Sequence, residues 1–168
     1  MVRAISRDEA TEAASWRYPP PFDLYDGAPD RAGLYLETSL DGFGYYSVVT
    51  ADAGDLVGFC CFGPEARVAG QIPVEGTLDV GFGLRPELVS RGIGADLMRA
   101  VLSFAGERFG PARYRVAIAS FNERSRRLCA SAGFEVIRRF DGPGRDFDEL
   151  ERASDLGAEL PDWSPPAP

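Results

Sequence analysis

A glycine-rich turn near the middle of the chain offers the clearest chemistry in this sequence. The segment Val89-Ser90-Arg91-Gly92-Ile93-Gly94-Ala95 lies between a strand-like run and an amphipathic, helix-like run. A helix that begins there presents unpaired N–H groups and the positive end of its dipole, which together bind an anion without a charged side chain. Gly92 and Gly94 let the backbone approach a phosphate without an intervening Cβ. The turn therefore predicts a phosphate site, with a plain helix cap as the alternative for a G-x-G pattern alone.

Two common nucleotide-binding motifs are excluded by the residues that follow this turn. A dinucleotide fingerprint requires a third glycine, and this chain has Leu97 at that position. A P-loop requires Gly-Lys followed by Ser or Thr, and no such sequence follows here. The carrier of the phosphate must therefore belong to another class.

The composition excludes further classes of site. The sequence contains no His, so His-based triads and His-containing zinc sites are excluded. Its three cysteines include the adjacent Cys60 and Cys61, which fit neither a disulfide framework nor a metal site. The net charge of -8 argues against nucleic acid or an anionic membrane as partner and suits an amine-bearing acceptor, although acidity also serves plain solubility. Without a signal-like N-terminus or a run of ~20 apolar residues, we expect a cytoplasmic protein.

Hydrophobic periodicity divides the chain into alternating strands and helices of one domain. Ser6 and Glu9 have the spacing of a capping box, which predicts a helix that ends near Trp16, before three consecutive prolines. An extended aromatic segment, Phe22 to Tyr25, follows. Later helices are predicted over Ile93 to Phe109 and Asn122 to Ala132, and strands over Val2 to Ile5, Tyr45 to Thr50, Leu56 to Phe62, Thr77 to Leu84, Tyr114 to Ile118, Phe134 to Phe140 and Arg145 to Arg152. Residues 1–152 form the predicted domain, and the proline-rich residues 153–168 are predicted to be a poorly ordered tail.

The order of these motifs resembles that of the GNAT superfamily of acetyltransferases, over roughly residues 2 to 150. Leu84 to Ala95 is similar to the family's acetyl-CoA motif, Arg/Gln-x-x-Gly-x-Gly/Ala. Ala119 to Asn122, followed by Leu128 to Phe134, resembles its second motif, an Asn followed by a helix and Gly-Phe. The combination of the two motifs is specific, whereas either one alone is not.

The resemblance implies a fold and a cofactor. The fold would be mixed α/β, with a mainly antiparallel central sheet of six to seven strands flanked by helices and an acyl-CoA bound where two strands splay apart. Acetyl-CoA would be the acyl donor, with no metal. The bare positions Gly81 and Gly83 suit close approach of a pantetheine arm, with a bulge or tight packing against the following helix as the alternative. The implied cofactor-binding residues are Phe82, Gly83, Leu84, Ser90, Arg91, Gly92, Ile93, Gly94, Ala95 and Asn122.

The resemblance also implies candidate catalytic residues, with some departures from the family pattern. Asp79 lies on the strand before the phosphate turn, where the family often has a general base, and Glu75 is a nearby substitute. The usual general-acid tyrosine, seven residues after the Asn, is replaced by Cys129. A thiol can donate a proton to a thiolate of similar basicity, but a buried structural cysteine is the alternative. Two further departures are Ala117, where some members have a carboxylate, and Val89 at the first motif position.

These observations favour an N-acetyltransferase that transfers an acetyl group from acetyl-CoA to the primary amine of a small molecule or peptide by direct attack. The three departures keep a non-catalytic acyl-CoA-binding module of the same fold as the alternative. The aromatic run from Trp16 to Tyr25 either lines the acceptor pocket or packs as an anchored loop. The predicted partners are acetyl-CoA and an amine acceptor, with no nucleic acid and no membrane. The oligomeric state stays open, a homodimer included.

Overall fold

One mixed sheet organises the protein. The computed structural model describes residues 1–37 and 42–154, and the strands of this part of the chain follow the order β1-β2-β3-β4-β5-β7-β6. All neighbouring pairs are antiparallel except β4 and β5, which run parallel. The predicted mainly antiparallel sheet flanked by helices is therefore confirmed. The strands are β1 Val2–Ala4, β2 Gly44–Val49, β3 Leu56–Phe62, β4 Thr77–Leu84, β5 Arg113–Ala119, β6 Glu135–Gly142 and β7 Arg145–Ala153; the helices are α1 Arg7–Ser15, α2 Gly94–Phe109 and α3 Glu123–Ser131.

Helix α1 begins where the sequence predicted it. The hydroxyl of Ser6 accepts a hydrogen bond from the backbone N–H of Glu9, and the Glu9 carboxylate accepts one from the backbone N–H of Ser6. This reciprocal pair satisfies two N–H groups that a helix start leaves without partners. The face of α1 that carries Ala10, Ala13 and Ala14 is buried. The predicted capping box is confirmed.

Helix α2 covers the opposite face of the sheet and contributes most of the helical core. Its buried side chains recur every three or four residues and pack with the sheet residues Phe62 and Val80. Burial of each such side chain stabilises the fold by about 1.5–3 kcal/mol. The helix ends at Gly110, whose φ of 55° is left-handed. The α2 residues of this core cluster are Leu97, Met98, Val101, Leu102 and Ala105.

Two predicted segments differ in the structure. Phe22–Tyr25, predicted to be extended, forms a 3-10 turn, and a second 3-10 segment spans Pro29–Leu36. The bond from the Asp26 N–H to the Asp23 carbonyl closes the first of these turns. At the other end, Ala153, assigned by the sequence to the tail, is the last residue of β7. Residues 155–168 of the predicted tail lie outside the described residues.

The parallel strands β4 and β5 pair over only three residues. Their register ends at Asp79 opposite Arg115. Beyond this point β4 continues beside β3 alone and β5 continues beside β7 alone, so the sheet opens into a fork. The splayed strand pair that the resemblance implied is present, and it holds an open groove on the far side of this last pair.

A buried ion pair marks the root of the fork. The Arg115 Nε donates to the Asp79 Oδ1 at 2.7 Å, and the two side chains are 2% and 3% exposed. The Arg67 Nε donates to the other Asp79 oxygen at 2.6 Å. Burial opposes the charge of Arg115, but the hydrogen bond and charge of Asp79 hold the pKa of Arg115 above its ordinary value. The two oxygens of the buried Asp79 side chain are therefore each bonded to a different guanidinium group.

Replacing Asp79 with Asn tests how much this ion pair stabilises the fold. We expect Asp79→Asn to lower the free energy of unfolding by about 2–4 kcal/mol, because it removes the counter-charge of Arg67 and leaves the buried Arg115 with only the more distant Glu149, at 3.8 Å. Urea denaturation measures the change. The matched control is Asp96→Asn, which breaks an exposed Asp–Arg pair in α2 and should stay within about 0.5 kcal/mol of the unmutated protein. Equal losses in the two variants would contradict this account.

Candidate functional site

A groove with a volume of about 580 Å³ occupies the fork between β4 and β5. Val80 to Leu84 form one wall, and Val116 to Ile118 form the other. The start of α2 closes one end, and the side chains of Ser125 and Leu128 enter from α3. The groove therefore connects the predicted phosphate turn with the root of the fork.

The phosphate turn has the backbone geometry of an anion seat. Ser90 and Gly92 have φ values of 64° and 86°, both in the left-handed region. Helix α2 then begins at Gly94 without a side-chain cap, and its first helical bond runs from the Leu97 N–H to the Ile93 carbonyl. The N–H groups of the preceding first turn have no helical partners by position, and they point out of the helix start. A Cβ at Gly92 would meet no atom within 4 Å, so the turn is open above the backbone.

The second glycine of the turn serves packing between helices. A Cβ built on Gly94 would lie 3.3 Å from a methyl group of Leu128 in α3. This close approach of α3 to the start of α2 brings Arg124 beside the turn. The Arg124 guanidinium donates to the Ser90 hydroxyl at 3.4 Å. It adds a positive charge at the same place as the N–H groups of the helix start.

Most of the cofactor-binding residues that the sequence predicted are brought together around this groove. Two of them, Arg91 and Ile93, belong to the turn but do not line the groove. Asn122, the N-cap of α3, is 4% exposed and accepts a hydrogen bond from the Ser125 N–H. The predicted residues that do line the groove are Phe82, Gly83, Leu84, Ser90, Gly92, Gly94, Ala95 and Asn122.

The edge of β4 that faces the groove is open. The Arg85 N–H donates to Val57 on β3, so by strand alternation the backbone groups of Leu84 and Phe82 face away from β3. The Leu84 carbonyl accepts a hydrogen bond from the Tyr18 hydroxyl at 2.8 Å. An extended ligand with amide groups can pair with such an edge.

The expected space beside Gly81 and Gly83 is filled, which corrects part of the sequence interpretation. A Cβ on Gly81 would lie 2.6 Å from the Cys61 sulfur, and a Cβ on Gly83 would lie 2.5 Å from the Phe59 ring. Both neighbours belong to β3, opposite the two glycines in register. The glycines thus admit large side chains of the adjacent strand, and ligand access depends on the open edge of β4.

The N-terminal aromatic segment forms a wall of the groove. Tyr18, Phe22 and Tyr25 all line it. The Asn122 side-chain amide donates to the Tyr25 hydroxyl at 3.1 Å. The Arg124 guanidinium lies 4.5 Å from the centre of the Phe22 ring, a cation–π contact. The aromatic segment therefore lines the groove and is also anchored to the residues at the start of α3.

Asp79, the predicted general base, is placed where it has no free acceptor toward the groove. Both of its oxygens accept from buried or half-buried guanidinium groups at 2.6 and 2.7 Å, and it does not line the groove. Each of these charge-assisted bonds occupies one oxygen, so neither oxygen is directed at a ligand in the groove. The geometry therefore disfavours the role of base for Asp79. Its substitute Glu75 is exposed in the loop before β4 and also lies outside the groove lining.

Cys129, the predicted general acid, lies in the core. Its side chain is fully buried on α3 and belongs to the main hydrophobic cluster. Burial raises the pKa of its thiol to about 12. A thiol that is both outside the groove and a weaker acid than usual does not suit proton donation, and the alternative of a structural cysteine describes this position better.

One carboxylate does line the groove, and the sequence analysis missed it. Glu65 lies in the 3-10 turn Gly63–Ala66 that follows β3. Burial raises the pKa of the neighbouring Cys61 thiol to about 12, and the negative charge of Glu65 contributes to this shift. The same charge helps to raise the pKa of Tyr45, after burial. Glu65 carries no motif signal, because a turn after a strand fixes its position only through tertiary packing.

Comparison with known families agrees with this geometry. A family model described as the acetyltransferase (GNAT) domain matches residues 2–135. The chain belongs to the GNAT acetyltransferase family. Its resemblance to that family is confirmed, and the matched range contains the phosphate turn, the fork and Asn122. A comparison with curated protein sequences finds no match.

Solved structures share the GNAT fold at low sequence identity. A putative phosphinothricin N-acetyltransferase is 16% identical, with a TM-score of 0.68 over 92% of this chain and 98% of its own. A chimera of the Vibrio cholerae spermidine N-acetyltransferase SpeG with hSSAT is 14% identical, with a TM-score of 0.69 over 95% and 98%. The aminoglycoside acetyltransferase AAC(6')-Ib in complex with coenzyme A is 12% identical, with a TM-score of 0.72 over 93% and 95%.

Residues 1–37 and 42–154 of this GNAT protein contain neither a metal-binding cluster nor a membrane-spanning helix. Within these ranges, no group of three or more His, Cys, Asp or Glu side chains has an arrangement that could hold a metal ion. No helix of the same ranges combines the length and the apolar composition needed to cross a bilayer.

The phosphate turn makes a specific prediction about coenzyme A binding. Gly92→Ala should weaken acetyl-CoA binding about tenfold or more, because a side chain strains the left-handed backbone and projects a methyl group over the open turn. Isothermal titration calorimetry measures the affinity. Gly144→Ala is the matched control: Gly144 also has a left-handed φ of 71° with no atom within 4 Å of a Cβ, but it lies in the β6–β7 turn, outside the groove lining. A similar loss of affinity in both variants would contradict the proposed seat.

Proposed function

We propose that this protein is an N-acetyltransferase that transfers the acetyl group of acetyl-CoA to a primary amine. The observation that carries the proposal is the groove that leads from the phosphate turn, along the open edge of β4, to a pocket that contains a carboxylate. Membership of the GNAT family and the coenzyme A bound by a structurally similar acetyltransferase support the same donor.

The residues of the groove divide into two groups by their chemistry. Ser90, Gly92 and the first N–H groups of α2, with Arg124 beside them, would hold the diphosphate. The open edge of β4 from Phe82 to Leu84 would hold the pantetheine amides. When bound, acetyl-CoA supplies the activated acetyl thioester. The remaining residues would handle the acceptor and its protons.

Glu65 is the proposed acceptor of the amine proton. An ammonium has no lone pair, so the acceptor must lose a proton before or during attack on the acetyl carbon. Glu65 is the carboxylate on the groove lining, and Asp79 is engaged by two guanidinium groups. The Cys61 thiol donates to the Glu65 backbone carbonyl at 3.6 Å, so Glu65 lies on the β3 side of the groove. Proton transfer either directly or through one water then leaves the neutral amine at the reaction centre.

Tyr25 is the proposed donor of a proton to the departing sulfur. Tyr25 lines the groove, and its hydroxyl oxygen accepts a hydrogen bond from the Asn122 amide, so the hydroxyl proton is not used in that bond. The nearby Tyr18 hydroxyl already donates to the Leu84 carbonyl. As the amine nitrogen bonds to the acetyl carbon and the carbon–sulfur bond breaks, the Tyr25 proton would pass to sulfur. The proton that the nitrogen loses as it becomes an amide would return to the Tyr25 oxygen, directly or through water. Tyr25 would thus replace the tyrosine that the family usually carries where this chain has Cys129.

The alternative function is a non-catalytic acyl-CoA-binding module. It is favoured by the positions of the two predicted catalytic residues, since Asp79 is fully paired and Cys129 is buried. This function predicts acetyl-CoA binding without turnover. Incubation of the protein with acetyl-CoA and a panel of primary amines, followed by titration of free thiol, separates the two. Release of thiol only when an amine is present supports the transferase; binding without release supports the module; absence of both overturns the proposal.

The Tyr25 hydroxyl can be tested by a single-atom change. Tyr25→Phe should lower kcat about 100-fold through loss of a proton donor, while the Kd for acetyl-CoA measured by calorimetry stays nearly constant. Tyr114→Phe is the control, because its hydroxyl donates to the Leu102 carbonyl in the core, away from the groove. If kcat of Tyr25→Phe equals that of the unmutated protein, the proposed role is wrong.

The proposed base has a signature in its pH dependence. Glu65→Gln should reduce kcat/KM by about 10- to 100-fold at pH 7, and the deficit should shrink as pH rises, because more of the acceptor amine is then already neutral in solution. Initial rates measured from about pH 6 to about pH 10 give this profile. Glu75→Gln removes a carboxylate outside the groove and should leave the profile unchanged. A pH-independent deficit in Glu65→Gln would indicate a different role.

A further inference from the structure

A chain of alternating charges crosses the interior from the outer strand β6 to the groove. It begins at Arg138, whose Nε donates to Glu149 on β7 at 3.0 Å. Glu149 lies 3.8 Å from Arg115, and Arg115 donates to Asp79 at 2.7 Å. The last link is the 2.6 Å bond from the Arg67 Nε to Asp79. Asp79 and Glu149 are thus each shared between two guanidinium groups.

This row of alternating charges ends in an arginine on each side. Glu149 and Asp79 are each shared by two arginines, and Arg115 between them is buried. Burial raises the pKa of Glu149, but hydrogen bonds from Arg138 and Gln71 bring it below its ordinary value, so this carboxylate stays ionised. Arg138 faces the surface of β6, whereas Arg67 lines the groove. The groove therefore contains an arginine, Arg67, that shares its counter-ion Asp79 with Arg115.

Arg67 has donors to spare. Its backbone N–H donates to the Pro64 carbonyl, and its side chain uses Nε for Asp79. Across residues 1–37 and 42–154, neither terminal amino group of this guanidinium makes a hydrogen bond to another described residue. The bond to Asp79 restrains the guanidinium. The N–H groups of its two terminal nitrogens can then donate to the two oxygens of a carboxylate.

The position of Arg67 points to the acceptor and away from the diphosphate. It is bonded to Asp79 at the root of the fork, whereas the phosphate turn follows Leu84, five residues further along β4. At the rise of a strand these ends are roughly 17 Å apart. Arg124 already supplies a positive charge at the phosphate turn. Glu65 lies two residues before Arg67 on the same groove wall.

From this placement, and building on the proposed transferase function, we propose that Arg67 binds a carboxylate of the acceptor, so that the acceptor is an amine that also carries a carboxylate. Charges of opposite sign two residues apart on one wall complement such a zwitterion, with its amine toward Glu65 and its carboxylate on Arg67. Arg67 acts here as a specificity-determining residue. The acetyl transfer itself, from thioester sulfur to amine nitrogen, is unchanged.

Matched acceptors test the inference. Leucine, phenylalanine and glutamate are each compared with their α-amide, which keeps the amine and removes the α-carboxylate charge. We expect kcat/KM to favour the acids about tenfold or more. Arg67→Gln should lower the acid-to-amide ratio about tenfold or more relative to the unmutated protein while leaving the Kd for acetyl-CoA unchanged, and Arg67→Lys should retain part of the preference. Arg138→Gln, which removes a charge from the other end of the same chain, should keep the full ratio.

Direct binding separates this inference from the proposed function. Saturation-transfer NMR with the same acids and amides reports acceptor binding without turnover. Acids that bind better than amides in an Arg67-dependent way support the inference even if no thiol is released, in which case the transferase function fails alone. Turnover with equal use of acids and amides overturns the inference and leaves the function intact. An equal fall for acids and amides in Arg67→Gln also overturns it, since that pattern indicates a structural role.

Discussion

The groove exists because β4 and β5 stop pairing at one buried ion pair. Asp79 and Arg115 are the last residues in register, and their side chains are joined at 2.7 Å. Beyond this pair, β4 stays hydrogen-bonded to β3 and β5 stays hydrogen-bonded to β7. The backbone groups that lose a strand partner are therefore those that face the groove. A charged pair at this point holds the strands together where the sheet must be closed, and a ligand can then occupy the open part.

Local signals predicted much of this architecture. The capping box at Ser6 and Glu9, the apolar periodicity of α2 and the glycine turn before it are each set by residues close in sequence, and the structure contains all three. The phosphate turn could be predicted because a helix start presents N–H groups whatever surrounds it. The binding role of Asn122 was implied by the family resemblance alone; the structure makes it the N-cap of α3 and places it on the groove lining.

Side-chain roles that depend on distant partners could not be predicted in this way. Asp79 occupies the position of a base, but arginines 12 and 36 residues away engage both of its oxygens. Cys129 occupies the family's tyrosine position, yet packing of α3 on the sheet buries it. Tyr25 reaches Asn122 across 97 residues. In each case the decisive contact is tertiary, and neither composition nor spacing carries information about it.

The hydroxyl of Tyr18 occupies the Leu84 carbonyl at the edge of β4. A ligand amide that pairs with this carbonyl either shares it with Tyr18, through the second lone pair of the oxygen, or displaces the tyrosine hydroxyl and exchanges one hydrogen bond for another. Which ligands bind at this edge of β4 then depends on their other groups, such as a diphosphate. Peptides or strands that have backbone amides but no diphosphate gain less from this edge, so the Tyr18 hydroxyl helps to protect it against unwanted pairing.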